Sequence, residues 1–189
     1  TNLIRSHAAG VGSPLPADLV RATMLLLAAS LSRGCSGVRE AVIDALCGML
    51  NAGVTPVVPS VGSVGASGDL APLAHIALVL LGEGQASHHG QILGGADALR
   101  AGGLSPLQLE AKEGLALING THLMASYGCL VLTDAGRVFD AAVGAAAMSV
   151  DACRGTDAAF DDRIHAARNQ PGQRMVAERL RALMAGSQI

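Results

Sequence analysis

The tripeptide Ala66-Ser67-Gly68 is the stretch of this sequence whose residue types could do unusual chemistry. Small residues let the backbone fold back on itself with little steric penalty. If the nitrogen of Gly68 attacks the carbonyl carbon of Ala66, a five-membered ring closes. Loss of water from that ring and from the Ser67 side chain then gives a methylidene-imidazolone (MIO), which carries an exposed electrophilic carbon. The tripeptide therefore predicts an electrophile made from the chain itself, with no external cofactor.

A glycine-rich loop that caps a helix and binds an anion is the other interpretation of this stretch. The spacing Gly62-x-x-Gly65-x-x-Gly68 is neither that of a GxGxxG loop nor that of a Walker A loop, and no Lys-Ser/Thr pair follows it. The glycine pattern therefore gives little support to a nucleotide site.

The segment around the tripeptide carries a family resemblance. Residues 62–75, GSVGASGDLAPLAH, resemble the signature of the MIO-dependent aromatic amino acid lyases, which comprise the histidine, phenylalanine and tyrosine ammonia-lyases and the related aminomutases. Residues 112–122, KEGLALINGTH, are a second strong match. The resemblance implies an all-α fold of long, close-packed helices, similar to that of fumarases, with the reactive loop 60–69 near the helix ends. It also implies a homotetramer that acts on a small-molecule amino acid.

The pair Ser6-His7 looks like the histidine ammonia-lyase pattern for the same region. The resemblance implies that these two side chains face the substrate ring. A polar pair favours an imidazole over a phenyl or phenol ring there, and His7 would hydrogen-bond the substrate imidazole, since each neutral ring has one donor and one acceptor. A capping or loop histidine is the alternative interpretation of His7.

Two residues of the second matching segment complete the predicted site. Asn119 looks like the family asparagine that contacts the MIO group and the substrate, and an amide suits that role because it donates and accepts in a fixed geometry. A simple Asn-Gly turn would explain the same dipeptide. His122 departs from the glutamine that histidine ammonia-lyases typically carry at this point, and we include it with Ser6 and His7 as a predicted substrate-binding residue.

Asp69 has two interpretations that are compatible with each other. It precedes a predicted helix over 70–81 and is a good N-cap residue for that helix. Its carboxylate could also hold the loop in the strained geometry that ring closure needs. Further along this helix, His75 has apolar neighbours in the sequence, and we interpret it as a packed histidine and not as a catalytic base.

Helical periodicity and turn residues predict the remaining elements. A helix over 17–32 follows Pro16, and a second helix is predicted to begin at a Ser36 cap. Tyr127 is predicted to lie in the core. The other predicted elements are a β-hairpin within 82–95, a short helix over 96–101, a long helix over 121–154 and a final helix over 172–185.

Composition limits the classes of partner. The net charge is −2, which gives no electrostatic reason to expect nucleic acid or an anionic membrane. The longest apolar run, residues 76–81, is far shorter than the roughly 20 residues that a membrane span needs. Hydrophobic residues make up 50% of the chain, which favours an oligomer with buried interfaces. The four cysteines form no CxxC pair, so we expect reduced thiols in a cytoplasmic protein and no metal site.

By resemblance, the reaction is the elimination of ammonia from L-histidine to give trans-urocanate. The MIO group would make ammonia a better leaving group, and a tyrosine base would remove a β-proton from the substrate. Two alternatives stay open. One is a phenylalanine or tyrosine ammonia-lyase or an aminomutase, and the other is a non-catalytic helical oligomerisation module that keeps the loop without forming the ring.

Family members are much longer than these 189 residues, and the chain opens at Thr1 without an initiator methionine. We therefore interpret residues 1–189 as one helical fragment from the N-terminal half of an enzyme. The family tyrosines that act as bases, and the arginine that binds the substrate carboxylate, would lie outside it. The isolated fragment is expected to have no useful lyase activity.

Overall fold

The computed structural model describes residues 1–64 and 68–187, and the chain divides into two compact units, Thr1–Leu130 and Val131–Ile189. Helices dominate both units, which confirms the predicted all-α class. The first unit also contains two small antiparallel sheets, one of order β1-β3 and one of order β2-β4-β5. The prediction of a single helical fragment over 1–189 stays a prediction.

The first unit contains these elements: α1 (Asn2–His7), β1 (Val11–Pro14), α2 (Ala17–Leu31), α3 (Glu40–Asn51), β2 (Thr55–Pro56), β3 (Pro59–Val61), α4 (Leu70–Leu80), β4 (Gln85–His88), β5 (Gln91–Gly94), α5 (Gly95–Ala101), α6 (Glu113–Ile118) and the start of α7 (His122–Ala152). The second unit contains the rest of α7, a 3-10 turn (Asp157–Phe160), α8 (Asp162–Arg168) and α9 (Pro171–Met184).

The core of the first unit forms where apolar residues recur at helical spacing. Helix α2 begins directly after Pro16, as predicted, and buries one continuous face. Thr23 lies on that buried face, and its hydroxyl is not left without a hydrogen-bond partner because Oγ1 donates to the Leu19 carbonyl at 2.8 Å. The largest fully buried side chains of the unit come from several helices: Ile4, Leu19, Met24, Leu27, Leu46, Met49, Leu73, Ile76, Leu80, Leu99, Leu117 and Ile118.

The predicted start of the second helix is wrong. Helix α3 begins at Glu40 and not after Ser36, because Gly37 adopts a φ of +64°, which interrupts a right-handed helix. The predicted hairpin is confirmed as β4 and β5, with His88 paired to Gln91. Its two-residue turn has positive φ at both His89 and Gly90, the geometry that the twist of a hairpin favours.

Helix α7 leaves many apolar side chains exposed. Leu123 and Ser126 are buried, but Tyr127 lies at the edge of that buried stripe and is 46% exposed. The prediction of a core tyrosine is therefore wrong. In the second unit, Val143 and Ala147 of α7 pack with Leu180 of α9. None of the helices in ranges 1–64 and 68–187 is both long enough and apolar enough to cross a bilayer.

Candidate active site

Strands β1 and β3 connect the Ser6-His7 segment to the start of the loop. They pair antiparallel, with Val11 opposite Val61. Just beyond the strands, the Leu15 amide donates to the Val58 carbonyl at 2.8 Å. Because β1 begins four residues after His7 and β3 ends just before Gly62, this pairing holds the Ser6-His7 segment next to the start of the reactive loop.

The loop is closed on itself and attached to the second matching segment. The Val64 amide donates to the Gly68 carbonyl at 2.9 Å. Gly68 is buried and forms an isolated parallel bridge with Gly120, whose carbonyl also accepts from the Asp69 amide at 3.3 Å. The structure thus places Gly68 beside the residue that follows Asn119. The other predicted MIO residues, Ala66 and Ser67, lie outside the described residues.

The Asp69 carboxylate connects the loop to the beginning of α7. Its side chain is fully buried; Oδ1 accepts from the Ser63 hydroxyl at 2.7 Å and Oδ2 from the Met124 amide at 3.0 Å. Met124 is the third residue of α7, so Asp69 satisfies one of the amides that the first turn of a helix leaves unpaired. A negative charge there also suits the helix dipole.

The predicted capping role of Asp69 therefore needs a correction. Asp69 occupies the N-cap position of α4, but its side chain makes no hydrogen bond to that helix. The carboxylate is directed toward Ser63 and Met124, so it accepts a hydrogen bond from an amide of α7 and from none of α4. The idea that Asp69 holds the loop has direct geometric support in the bond to Ser63, although its role in ring closure stays a prediction.

His122 lies against the bridge. Its ring packs on Gly120 so closely that a Cβ built at that glycine would collide with Nδ1 and Cε1 of the ring. The Nδ1 atom is buried and has no hydrogen-bond partner within the part of the chain that the structure describes. Burial lowers the pKa of His122, and the nearby Asp69 carboxylate, which raises it, does not offset the burial. The ring is therefore neutral near pH 7.

The stability of the chain is expected to fall as the pH drops below 6.5, partly because of His122. Since the folded chain holds the pKa of this ring below 6.5, the unfolded chain takes up a proton first, and the free energy of unfolding decreases. His122→Gln removes the titrating ring and should make the decrease smaller. Urea unfolding above and below pH 6.5 measures the difference, with His88→Gln on the hairpin as the control. If the free energy of unfolding of the His122→Gln variant decreased as much as that of the native chain, this assignment would be contradicted.

Ser6 and His7 lie at the end of α1. The Ser6 hydroxyl donates to the Leu3 carbonyl at 2.8 Å, and the same carbonyl lies 2.8 Å from Nδ1 of His7. Because a carbonyl only accepts, Nδ1 of His7 carries the proton, and Nε2 is left as the acceptor. The half-buried His7 ring can therefore accept a hydrogen bond from a ligand. Asn119 is exposed at the C-terminal end of α6.

A buried carboxylate that sequence reasoning missed supports α6. Glu113 accepts from the Arg39 amide at 3.1 Å, from Nε and Nη2 of Arg39 at 2.8 Å each, and from the Glu110 amide at 2.7 Å. The hydrogen bond from Arg39 is the main reason that the pKa of Glu113 is lowered to about 2. Glu113 and Arg39 are 74 positions apart, so no local spacing indicated the pair.

Metal and disulfide chemistry receive no support from the described residues. Within ranges 1–64 and 68–187, no group of three or more His, Cys, Asp or Glu side chains could hold a metal ion. The four cysteines of the described chain form no disulfide: Cys35, Cys47, Cys129 and Cys153.

Comparison with known proteins decides the family. The family model for aromatic amino acid lyases matches residues 1–189. The chain belongs to this family. The resemblance seen in the sequence is thereby confirmed, and with it the helical aromatic amino acid lyase fold.

Individual members of the aromatic amino acid lyase family resemble the chain over nearly all of its length. It is 58% identical to the histidine ammonia-lyase of Koribacter versatilis over 188 residues, which cover 100% of this chain and 36% of that protein. The solved histidine ammonia-lyase of Trypanosoma cruzi matches with a TM-score of 0.89 and 41% identity, covering 96% of this chain and 36% of that one. The phenylalanine aminomutase of Pantoea agglomerans matches with a TM-score of 0.90 and 38% identity, covering 99% and 36%. The chain therefore spans about a third of the length of these relatives.

Proposed function

We propose that this chain is the core segment of a histidine ammonia-lyase that eliminates ammonia from L-histidine to give trans-urocanate. The bridge between Gly68 and Gly120 carries the proposal, because it brings the last residue of the tripeptide beside the segment that contains Asn119 and His122. The 58% identity to a histidine ammonia-lyase supports the choice of substrate.

Ala66, Ser67 and Gly68 would form the MIO group from the chain itself. The described residues around the tripeptide fit such a group, since the Val64 amide and the Gly68 carbonyl close the loop at 2.9 Å. The start of the loop is equally confined, because a Cβ at Gly62 would lie 3.2 Å from the Ala71 Cβ. Once formed, the group supplies an electrophilic carbon that makes the amine of the substrate a better leaving group.

The surrounding residues would bind and orient the substrate. His7 offers Nε2 as an acceptor for an imidazole N–H, because its Nδ1 proton is engaged by the Leu3 carbonyl. Asn119 is exposed and could donate to and accept from the amino acid. Ser6 and the neutral ring of His122 would add polar contacts to the substrate ring. Asp69 would support the loop through Ser63.

The expected assembly is a cytoplasmic homotetramer without nucleic acid or membrane partners. Exposed apolar side chains on α7 support self-association, since surfaces of this kind usually mark protein interfaces. Leu132 and Met148 are each 74% exposed on this helix. The cytoplasmic location rests on the sequence argument that the cysteines are reduced thiols.

A phenylalanine or tyrosine ammonia-lyase or an aminomutase is the second candidate function. It is favoured by His122, which replaces the typical glutamine of the histidine enzymes, and by the likeness to the Pantoea agglomerans phenylalanine aminomutase. The two candidates differ in the ring that the Ser6-His7 pair would contact.

A hybrid enzyme tests the substrate directly. In this hybrid, the present chain replaces the 188 matched residues of the Koribacter versatilis histidine ammonia-lyase. Its kcat/KM for histidine is expected to exceed that for phenylalanine and tyrosine by about 10²-fold or more, since a polar site rejects rings that leave its groups unpaired. The unaltered relative is the control. Faster turnover of phenylalanine or tyrosine would overturn the proposal in favour of the second candidate.

A further inference from the structure

We propose that His75 is a positioning residue, which holds the Ser6-His7 segment in place beside the loop through a hydrogen bond to the Gly10 backbone. The proposal deepens the proposed function and rests on it, because the segment matters to catalysis only if Ser6 and His7 contact the substrate. His75 itself is not placed in contact with the substrate.

The hydrogen bond has a defined direction. The Gly10 amide donates to Nε2 of His75 at 3.2 Å, although the two residues are 65 positions apart. An amide nitrogen only donates, so Nε2 is the acceptor and the ring proton is on Nδ1. Burial of the ring on α4 lowers the pKa of His75. The neutral, accepting form is therefore the one present near pH 7.

Neighbouring atoms surround Gly10 so closely that its backbone has little room to move away from His75. A Cβ at Gly10 would lie 3.2 Å from Nε2 of His75 and 3.3 Å from the Cβ of Pro59. A Cβ at Gly62 would lie 3.4 Å from the Gly10 Cα. Three parts of the chain therefore meet at Gly10: the segment that follows α1, the start of the loop, and α4 through the His75 side chain.

This convergence explains how His75 could affect the substrate pocket from outside it. Gly10 follows His7 by only three residues, and the Ala9 amide donates to the His7 carbonyl at 2.8 Å, so the intervening link is short and tightly turned. Helix α4 begins directly after Asp69, which is attached to the loop. By fixing Gly10 on α4, His75 therefore sets the position of the His7 ring relative to the loop.

Two variants of similar size separate this role from simple packing. His75→Gln keeps an acceptor close to the position of Nε2, whereas His75→Met fills the space without one. In the 189-residue chain, His75→Met is expected to raise the exchange rate of the Gly10 amide about fivefold or more, the equivalent of one net hydrogen bond. His75→Gln should exchange at close to the native rate. The Ala52 amide, which donates to the Gly48 carbonyl on α3, serves as the internal reference for general unfolding.

The hybrid enzyme supplies the second readout. His75→Met is expected to raise KM for histidine about fivefold with little change in kcat per correctly folded molecule, because a displaced binding segment loses substrate affinity. His75→Gln should rescue KM. Equal behaviour of the two variants, in either Gly10 exchange or KM, would overturn the proposal. If the unaltered hybrid failed to turn over histidine, the proposed function would fall, and Gly10 exchange would still decide whether His75 positions the segment.

Discussion

Replacing Ser67 with alanine in the hybrid enzyme is expected to lower histidine turnover by at least about 10³-fold. The proposed electrophile needs the Ser67 hydroxyl as a leaving group, and the loss of a central catalytic group typically costs an enzyme that much or more. The rate of urocanate formation measures the effect. The intact mass provides an independent readout, because the native chain should be lighter by the water lost on ring formation and dehydration, whereas the alanine chain cannot dehydrate at this side chain.

Ser60→Ala is the matched control for this substitution. Ser60 is an exposed serine on β3, at the start of the same loop, and its replacement removes the same hydroxyl group without touching the tripeptide. Its activity and mass deficit should stay close to those of the native hybrid. If Ser67→Ala kept native activity, both the MIO proposal and the assignment as an ammonia-lyase would have to be abandoned. An unmodified Ser67 in a native chain that still associates would favour the oligomerisation module.

Replacing Glu113 with glutamine is expected to lower the free energy of unfolding by about 2 kcal/mol, because its buried carboxylate accepts charge-assisted hydrogen bonds from Arg39, whose own side chain is 40% exposed. The side chain of Glu113 is 2% exposed, and among the described residues its hydrogen-bond donors belong to Arg39 and Glu110. A glutamine NH₂ group would face one of these donors. Urea unfolding of the 189-residue chain at neutral pH measures the loss.

Glu110→Gln is the matched control, because Glu110 binds the same arginine from an exposed position. Its Oε1 lies 2.8 Å from Nη1 of Arg39, but the side chain is 66% exposed, so the loss should stay below about 1 kcal/mol. Equal losses in the two variants would show that burial of Glu113 does not determine its contribution.

Glu113 should also determine part of the acid sensitivity. Its pKa is about 2 in the folded chain against an ordinary value of 4.5. Its contribution is therefore fully present above pH 4.5 and is lost progressively as the pH falls toward 2, because the unfolded chain takes up the proton first. Glu113→Gln should lack this part of the decrease in stability, and an unchanged acid profile would contradict the assignment.

Apolar periodicity and turn residues were enough to predict some of the helices and the β-hairpin. Helix α2 followed from its apolar periodicity after Pro16, and the hairpin followed from turn residues between short strands. The predicted start of α3 was wrong because the left-handed conformation of Gly37 prevents a helix from beginning at the Ser36 cap. The predicted burial of Tyr127 was wrong because apolar neighbours in the sequence do not show which side of a helix is exposed.

The sequence predicted which residues belong to the candidate site, but not the contacts that join them. The sequence indicated Gly68, Asp69, Asn119 and His122, and the structure places Gly68 and Asp69 against the segment of the other two. The partner of Asp69 on α7 is 55 positions away, and no periodicity links residues so distant in the chain. The roles of all predicted site residues stay predictions.

The attachment of Asp69 to α7 has a consequence for sequence variation. The donor at position 124 is the peptide nitrogen and not the methionine side chain, which is exposed. Nineteen of the genetically encoded amino acids would supply the same donor, and proline alone lacks it. A search for paired substitutions between positions 69 and 124 should therefore detect no covariation, while an engineered Met124→Pro would leave the buried carboxylate of Asp69 short of one donor.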